Sequence, residues 1–301
     1  IFNMTTLPLE NLWQPPVAEE DFVNLCADFA YRTLEHPSVK QENVAISCFK
    51  LLGTLLKRYN HSLVFPVRIF NILKSCEMAV KPIAHGMEIL HDDFQIQSIY
   101  KVIIEQILQG LDDSADTTVI RNISSFFTEL GQVAPSLLMP YIREIASDVL
   151  SLDSYQLRIC ILQLMSEIVI TELTGEEKSP EDRAMRDEYL EHIFYHIHDI
   201  NAHVRAKVLF LWTHMKNLGA VPLAWLSPVL KVAVGRLEDK SATVRKTAIQ
   251  LIKSFLERNP FAAKLSLEEL ETRYNAKHKE LSDFRAKMIE ESNKMEEVNV
   301  K

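Results

Sequence analysis

Two groups of side chains in this sequence have the types and spacing for chemistry. The first is histidine. His192 and His196 stand four residues apart, the spacing that puts two imidazoles on one helical face for zinc, and His198 and His203 lie close by. The order is EHIFYH rather than HExxH, and no cysteine or carboxylate completes a ligand set, so the sequence specifies no metal centre. The second group is cationic. Residues 201–265 carry 11 Lys+Arg against 3 Asp+Glu, a net of +8, inside a chain of formal net charge −8. Residues 1–200 are the opposite, with 15 against 29, and residues 266–301 hold 7 against 9. A basic stretch in an acidic chain makes a local positive field suited to phosphates or an acidic peptide. Its candidate contacts are Lys207, Lys216, Lys231, Arg236, Lys240, Lys246, Lys253, Arg258 and Lys264. No base-reading module accompanies them, so any nucleic-acid contact is expected to be independent of base sequence.

Covalent catalysis finds no footing. There is no GxSxG elbow, Walker loop or GxGxxG, and neither an enzymatic activity nor a cofactor is expected. Cys26, Cys48, Cys76 and Cys160 are far apart and form no CxxC pair, which fits buried, unpaired thiols in a reducing compartment. Ser179-Pro180 is a minimal proline-directed phosphorylation site within TGEEKSPEDR (174–183), a polar stretch read as an exposed loop between helices. No run approaches the ~18 apolar residues of a membrane span. The opening IFNMTTLPLENLW lacks the basic and apolar regions of a signal peptide, and its first residue, Ile1, suggests an excerpt from a longer chain. A nuclear or cytoplasmic address fits these features.

Helical periodicity positions all of these side chains. Only 7 glycines appear in 301 residues, few for a fold rich in αL turns. No Asn-Gly or Asp-Gly separates alternating apolar runs as a hairpin of strands would require. Phe22, Cys26, Phe29 and Ala30 form an i, i+4, i+7, i+8 stripe that stops at His36-Pro37, since proline bars helix from the residue before it. The pattern resumes over 44–59 and continues to give roughly a dozen short helices joined by tight turns, which make a stack rather than a bundle with one centre.

Internal repetition identifies the stack. With HDINAHVRAKVLFLW (198–212) set over EDKSATVRKTAIQLI (238–252), Asp199 falls on Asp239, Val204 on Val244, Arg205 on Arg245 and Leu211 on Leu251, all at an offset of 40. A weaker copy, LDSYQLRICILQL (152–164), puts Leu157-Arg158 47 residues before Val204-Arg205, and a fainter one covers 112–127. A period of about 40–47 with two helices per unit is the signature of HEAT and armadillo arrays. The expected fold is all-α. A HEAT-repeat α-solenoid occupies 19–265, with an extended segment before it (1–18) and a long charged amphipathic helix after it (266–301). That last helix has a heptad seam from Leu267, broken by Lys277 and Glu291. In each copy the Asp is expected to cap the second helix, the Val to face the core, and the Arg to reach the Asp of a neighbouring unit. Asp199, Arg205, Asp239 and Arg245 are therefore read as a structural ladder.

The block VAVGRLEDKSATVRKTAIQLIKSFLERNPFAAKL (232–265) resembles the corresponding block of the condensin complex subunit 1 family, the HEAT-repeat regulatory subunits that join an SMC ATPase pair through a kleisin. LENLWQPPVAEEDFVNL (9–25), RYNH (58–61) and HDINAHVRAKVL (198–209) are similar to the same family in the same order. The resemblance covers most of the chain, which would correspond to the N-terminal part of a much longer subunit. It implies a non-catalytic protein of mitotic chromosomes that docks on the kleisin, contacts an SMC head and helps hold double-stranded DNA, with no membrane or small-molecule partner. It supplies no individual contact residues; the basic candidates come from charge alone. The residues themselves leave open a second reading, a transport or trafficking adaptor of the same architecture that binds acidic peptides and not DNA.

Overall fold

The structure, a computed structural model, describes residues 20–59, 61–112, 116–175, 178–257, 271–272, 274–285 and 288. Among the described residues there are helices and turns and no strand. The chain divides into two compact units, Ile1–Ile252 and Lys253–Lys301.

The first unit is built from helices in succession: α1 (Glu20–Glu35), α2 (Glu42–Arg58), α3 (Phe65–Ser75), α4 (Val80–Asp92), α5 (Ser98–Asp112), α6 (Thr117–Val133), the single turn α7 (Pro135–Leu138), α8 (Ile142–Val149), α9 (Tyr155–Thr171), α10 (Pro180–Tyr195), α11 (Ala202–Asn217), α12 (Leu223–Gly235) and α13 (Ala242–Glu257), the last of which runs across the unit boundary. Their packing has two layers. The second helices of successive hairpins touch in the order α2, α4, α6, α9, α11, and the first helices α1, α3, α5, α8 do the same. Contacts between each helix and its counterpart one hairpin away are what a repeat array requires, because a single hairpin cannot bury its own apolar face.

Local chemistry sets the helix ends. The side chains of Asp116, Ser154, Ser179 and Asn201 each accept a first-turn N–H of α6, α9, α10 and α11 respectively. Pro66, Pro135 and Pro180 sit at the first or second helical position, where the missing N–H costs nothing. Between helices of a hairpin the chain makes short 3-10 turns, Pro37–Lys40, Glu77–Ala79, His196–His198 and Arg236–Glu238.

Several sequence expectations change here. The buried face of α1 is Val23, Cys26, Ala27, Ala30, Tyr31 and Leu34, so Cys26 and Ala30 point inward but Phe29 is exposed. The helix ends at Glu35, as proline demands. The stretch 174–183 is not loop throughout: Pro180 opens α10, and Ser179 is its cap, accepting the Asp182 N–H at 3.0 Å. The expected segment 1–18 and the boundary at 265 lie outside the described residues. Of the long helix expected over 266–301, residues 271–272, 274–285 and 288 are helical and the rest lie outside the described residues.

Candidate functional site

The repeated D-x4-V-R residues lie at the turns between paired helices. Val204 and Val244 are fully buried. Arg158, on α9, donates from Nε to Asp199 Oδ2 (3.0 Å) and from Nη2 to Oδ1 (3.2 Å), while Nη1 donates to Leu152 O of its own turn at 2.7 Å. Arg205, on α11, repeats this one hairpin later. Its Nε and Nη2 each meet the Asp239 carboxylate at 2.8 Å, and Nη1 takes the carbonyls of Asp199 (2.8 Å) and Ile200 (3.0 Å). Each guanidinium thus ties the turn beside it to the turn of the next repeat. Arg245 makes the own-turn half, from Nη1 to Asp239 O (2.7 Å) and Lys240 O (3.1 Å).

The carboxylates do not cap the second helices as expected. Asn201 caps α11, accepting from the His203 N–H at 2.8 Å, while Asp199 accepts the N–H of Asn201 itself at 2.7 Å. The aspartate stands too early in the turn to reach the helix amides and braces the turn instead. Asp239 does the same to the Ser241 N–H (2.9 Å) and also takes Arg236 Nη1 at 3.2 Å. With its side chain 2% exposed and that of Arg205 13%, this pair is as enclosed as Arg158–Asp199. Hydrogen bonds from Arg205 outweigh burial and hold the Asp239 carboxyl down to about 2; the same bonds raise Arg205 above the usual guanidinium value.

The ladder takes up cations that a charge count assigns to the surface. Arg205 and Arg245 are committed to turn groups, and Arg236 is shared between Asp239 and His198 Nδ1. Of the other candidates, Lys207 is half-buried with its ammonium 5.4 Å from the Phe210 ring centroid, and burial pulls it below the ordinary lysine value. Lys216 is half-buried and engaged. Lys253 pairs with Glu257 at 3.5 Å. Arg258 and Lys264 lie outside the described residues. Lys231, Lys240 and Lys246 remain exposed, and no carboxylate among the described residues pairs with them.

The histidines have separate partners. His196 Nδ1 meets His192 O at 2.7 Å, His198 meets Arg236, and His203 stacks on Tyr155 with centroids 5.6 Å apart. Among the described residues no three His, Cys, Asp or Glu side chains converge as metal ligands. All four cysteines are free; Cys76 is half-buried rather than buried. Burial raises the Cys26 thiol, lifts Cys48 to about 11 and Cys160 to about 12, the wrong direction for a nucleophile. No helix among the described residues is long and apolar enough to cross a membrane.

Sequence reasoning missed two grooves in the second-helix layer. One, of about 660 Å³, lies between α2 and α4 over Ile46, Met78, Pro82 and Ile89, with Lys40 and Lys81 at its rim. The other, of about 290 Å³ between α6 and α9, is lined by Ser125, Gln156, Cys160 and Gln163. The readable signal for the first was Gly86, a glycine inside a helical run, which marks a close approach; the Phe49 ring lies against it.

Helix hairpins stacked in two layers and pinned turn to turn by ion pairs define a helical-repeat scaffold. Known proteins give that class a family. Residues 1–65 match the family described as non-SMC mitotic condensation complex subunit 1, N-term. Over 290 residues, 95% of this chain and 21% of the relative, the sequence is 31% identical to condensin complex subunit 1 of Xenopus laevis. Over 285 residues, 93% of this chain and 20% of the relative, it is 34% identical to condensin complex subunit 1 of Homo sapiens, and the same holds for that of Mus musculus. The chain belongs to the condensin complex subunit 1 family and spans about a fifth of the length of these relatives.

Proposed function

We propose that the chain is a non-catalytic architectural part of a condensin complex on nuclear chromosomes. In this reading it docks kleisin and SMC partners and lays double-stranded DNA against the α12–α13 hairpin. Membership of the condensin complex subunit 1 family supports the complex. The observation that carries the DNA contact is the trio Lys231, Lys240 and Lys246, exposed in one hairpin and unpaired among the described residues. Three lysines on phosphates supply affinity without base readout, and each phosphate neutralised contributes about −0.9 to the slope of log affinity against log salt.

The test is binding of the chain to a random-sequence duplex across a salt series. Lys231→Glu, Lys240→Glu and Lys246→Glu together should flatten that slope by about 2 to 3. A slope that the triple variant leaves unchanged, or no salt-sensitive binding at all, removes the DNA contact from this hairpin.

A further inference from the structure

We infer that the groove between α2 and α4 docks a short partner peptide in which an acidic residue stands beside two large apolar ones. The groove lies on other helices than the proposed DNA contact, and the inference does not depend on that reading.

The groove has a volume of about 660 Å³, inside the range of clefts that hold ligands. Its floor is apolar and reaches water: Ile46 on α2, Met78 in the turn before α4, and Pro82 and Ile89 on α4 are each half-buried. The stack itself does not demand this. In the same layer the groove between α6 and α9 presents Ser125, Gln156 and Gln163, and its volume is about 290 Å³. Water-facing positions between second helices are thus free to be polar. Four apolar side chains gathered around the larger cleft mark a surface that is stabilised when covered.

Charge selects the cover. Lys40, in the turn before α2, and Lys81, in the first turn of α4, stand exposed at one end of the groove. They lie within residues 1–200, where cations are outnumbered 29 to 15, so two lysines on one rim are a local exception. Glu42 is the carboxylate lining this end and leaves it net positive, and the first turns of α2 and α4 add the positive ends of their helix dipoles. Glu88 lines the other end. The complement is a segment with Asp or Glu on the lysines, apolar side chains over Ile46, Pro82 and Ile89, and a cation toward Glu88. The eight residues from Lys81 to Ile89 rise about 12 Å along α4, a distance that an extended peptide crosses in about four residues.

The experiment pans random dodecapeptides, displayed on phage, against the chain and measures the enriched peptide by fluorescence anisotropy. The expected consensus sets Asp or Glu within about four positions of two large apolar residues. Lys40→Glu with Lys81→Glu, both at exposed positions, should weaken that peptide about tenfold or more while the thermal midpoint of the chain stays in place. The same peptide with Lys in place of its acidic residue should bind the double variant again, which a merely unfolded groove would not allow. No consensus, a consensus without an acid, or an affinity that the lysine reversal leaves unmoved or the swapped peptide does not restore overturns the inference. So does binding that appears only after residues 1–19 are removed, which would make the chain's own leading segment the occupant, or self-association that the lysine reversal abolishes, which would make it a second copy.

Discussion

Asp239 gathers Arg205 through two hydrogen bonds, Arg236 through one, and the N–H of Ser241. Removing one member of an enclosed pair leaves the others uncompensated, which costs about 3–5 kcal/mol. Asp239→Asn keeps the shape but not the charge, and its urea midpoint should fall accordingly. The folded carboxyl, near 2, lies below its unfolded value of about 3.9, so its contribution is fully present above that unfolded value and is lost as pH falls toward 2. The Asn variant should therefore show a flatter decline of stability between about pH 4 and 2, and an unchanged decline would contradict the role given to this carboxylate. The Arg205–Asp239 contact could be read from sequence because both residues recur at an offset of 40. Arg236 could not, because its counterpart is His196 and no repetition marked it. The capping error had a readable remedy, since Asn201 and Ser241 occupy one position and both are strong capping types.

At the scale of helices, close approach is set by glycines inside them. A Cβ at Gly53, Gly86, Gly110 or Gly131 would enter the side chain of Phe94, Phe49, Phe70 or Leu164. In an exposed helix Gly→Ala would stabilise by up to about 1 kcal/mol. At Gly86 overpacking against a fully buried ring should win, at a net cost of about 1–3 kcal/mol. Thermal unfolding of Gly86→Ala should show that loss, and Phe49→Leu in the same chain should recover part of it; a stabilised single variant would refute the contact. The existence of most helices was legible because apolar spacing and Pro37, Pro135 and Pro180 punctuate them. Which face turns inward was less so. On α1 the buried face is shifted from the stripe that included Phe29, and α9 is buried nearly all round, from Leu157 to Val169, so it offers no periodic contrast to read. The basic segment misled for a related reason: charge counting cannot distinguish a solvated Lys246 from an Arg205 folded back onto its own turn.

Across the first unit, among the described residues, five arginine–carboxylate pairs each join one hairpin to the next: Arg68–Asp28, Arg121–Glu77, Arg143–Glu188, Arg158–Asp199 and Arg205–Asp239. The first three are wet, with arginines at least half exposed, whereas the last two are enclosed. Screening acts on the wet pairs and spares the enclosed ones. The buried cysteines report on this separately, Cys26 and Cys48 in the first hairpin and Cys160 on α9. Raising salt toward 1 M should speed maleimide labelling of Cys26 and Cys48 relative to Cys160, as read by mass spectrometry; equal acceleration would mean that the stack opens as one body. The same gradient has a mechanical side. A pull transmitted from hairpin to hairpin meets water-softened joints toward the N-terminus and dry, bidentate ones at Arg158 and Arg205, so one end of the stack gives like a spring while the other holds like a strut.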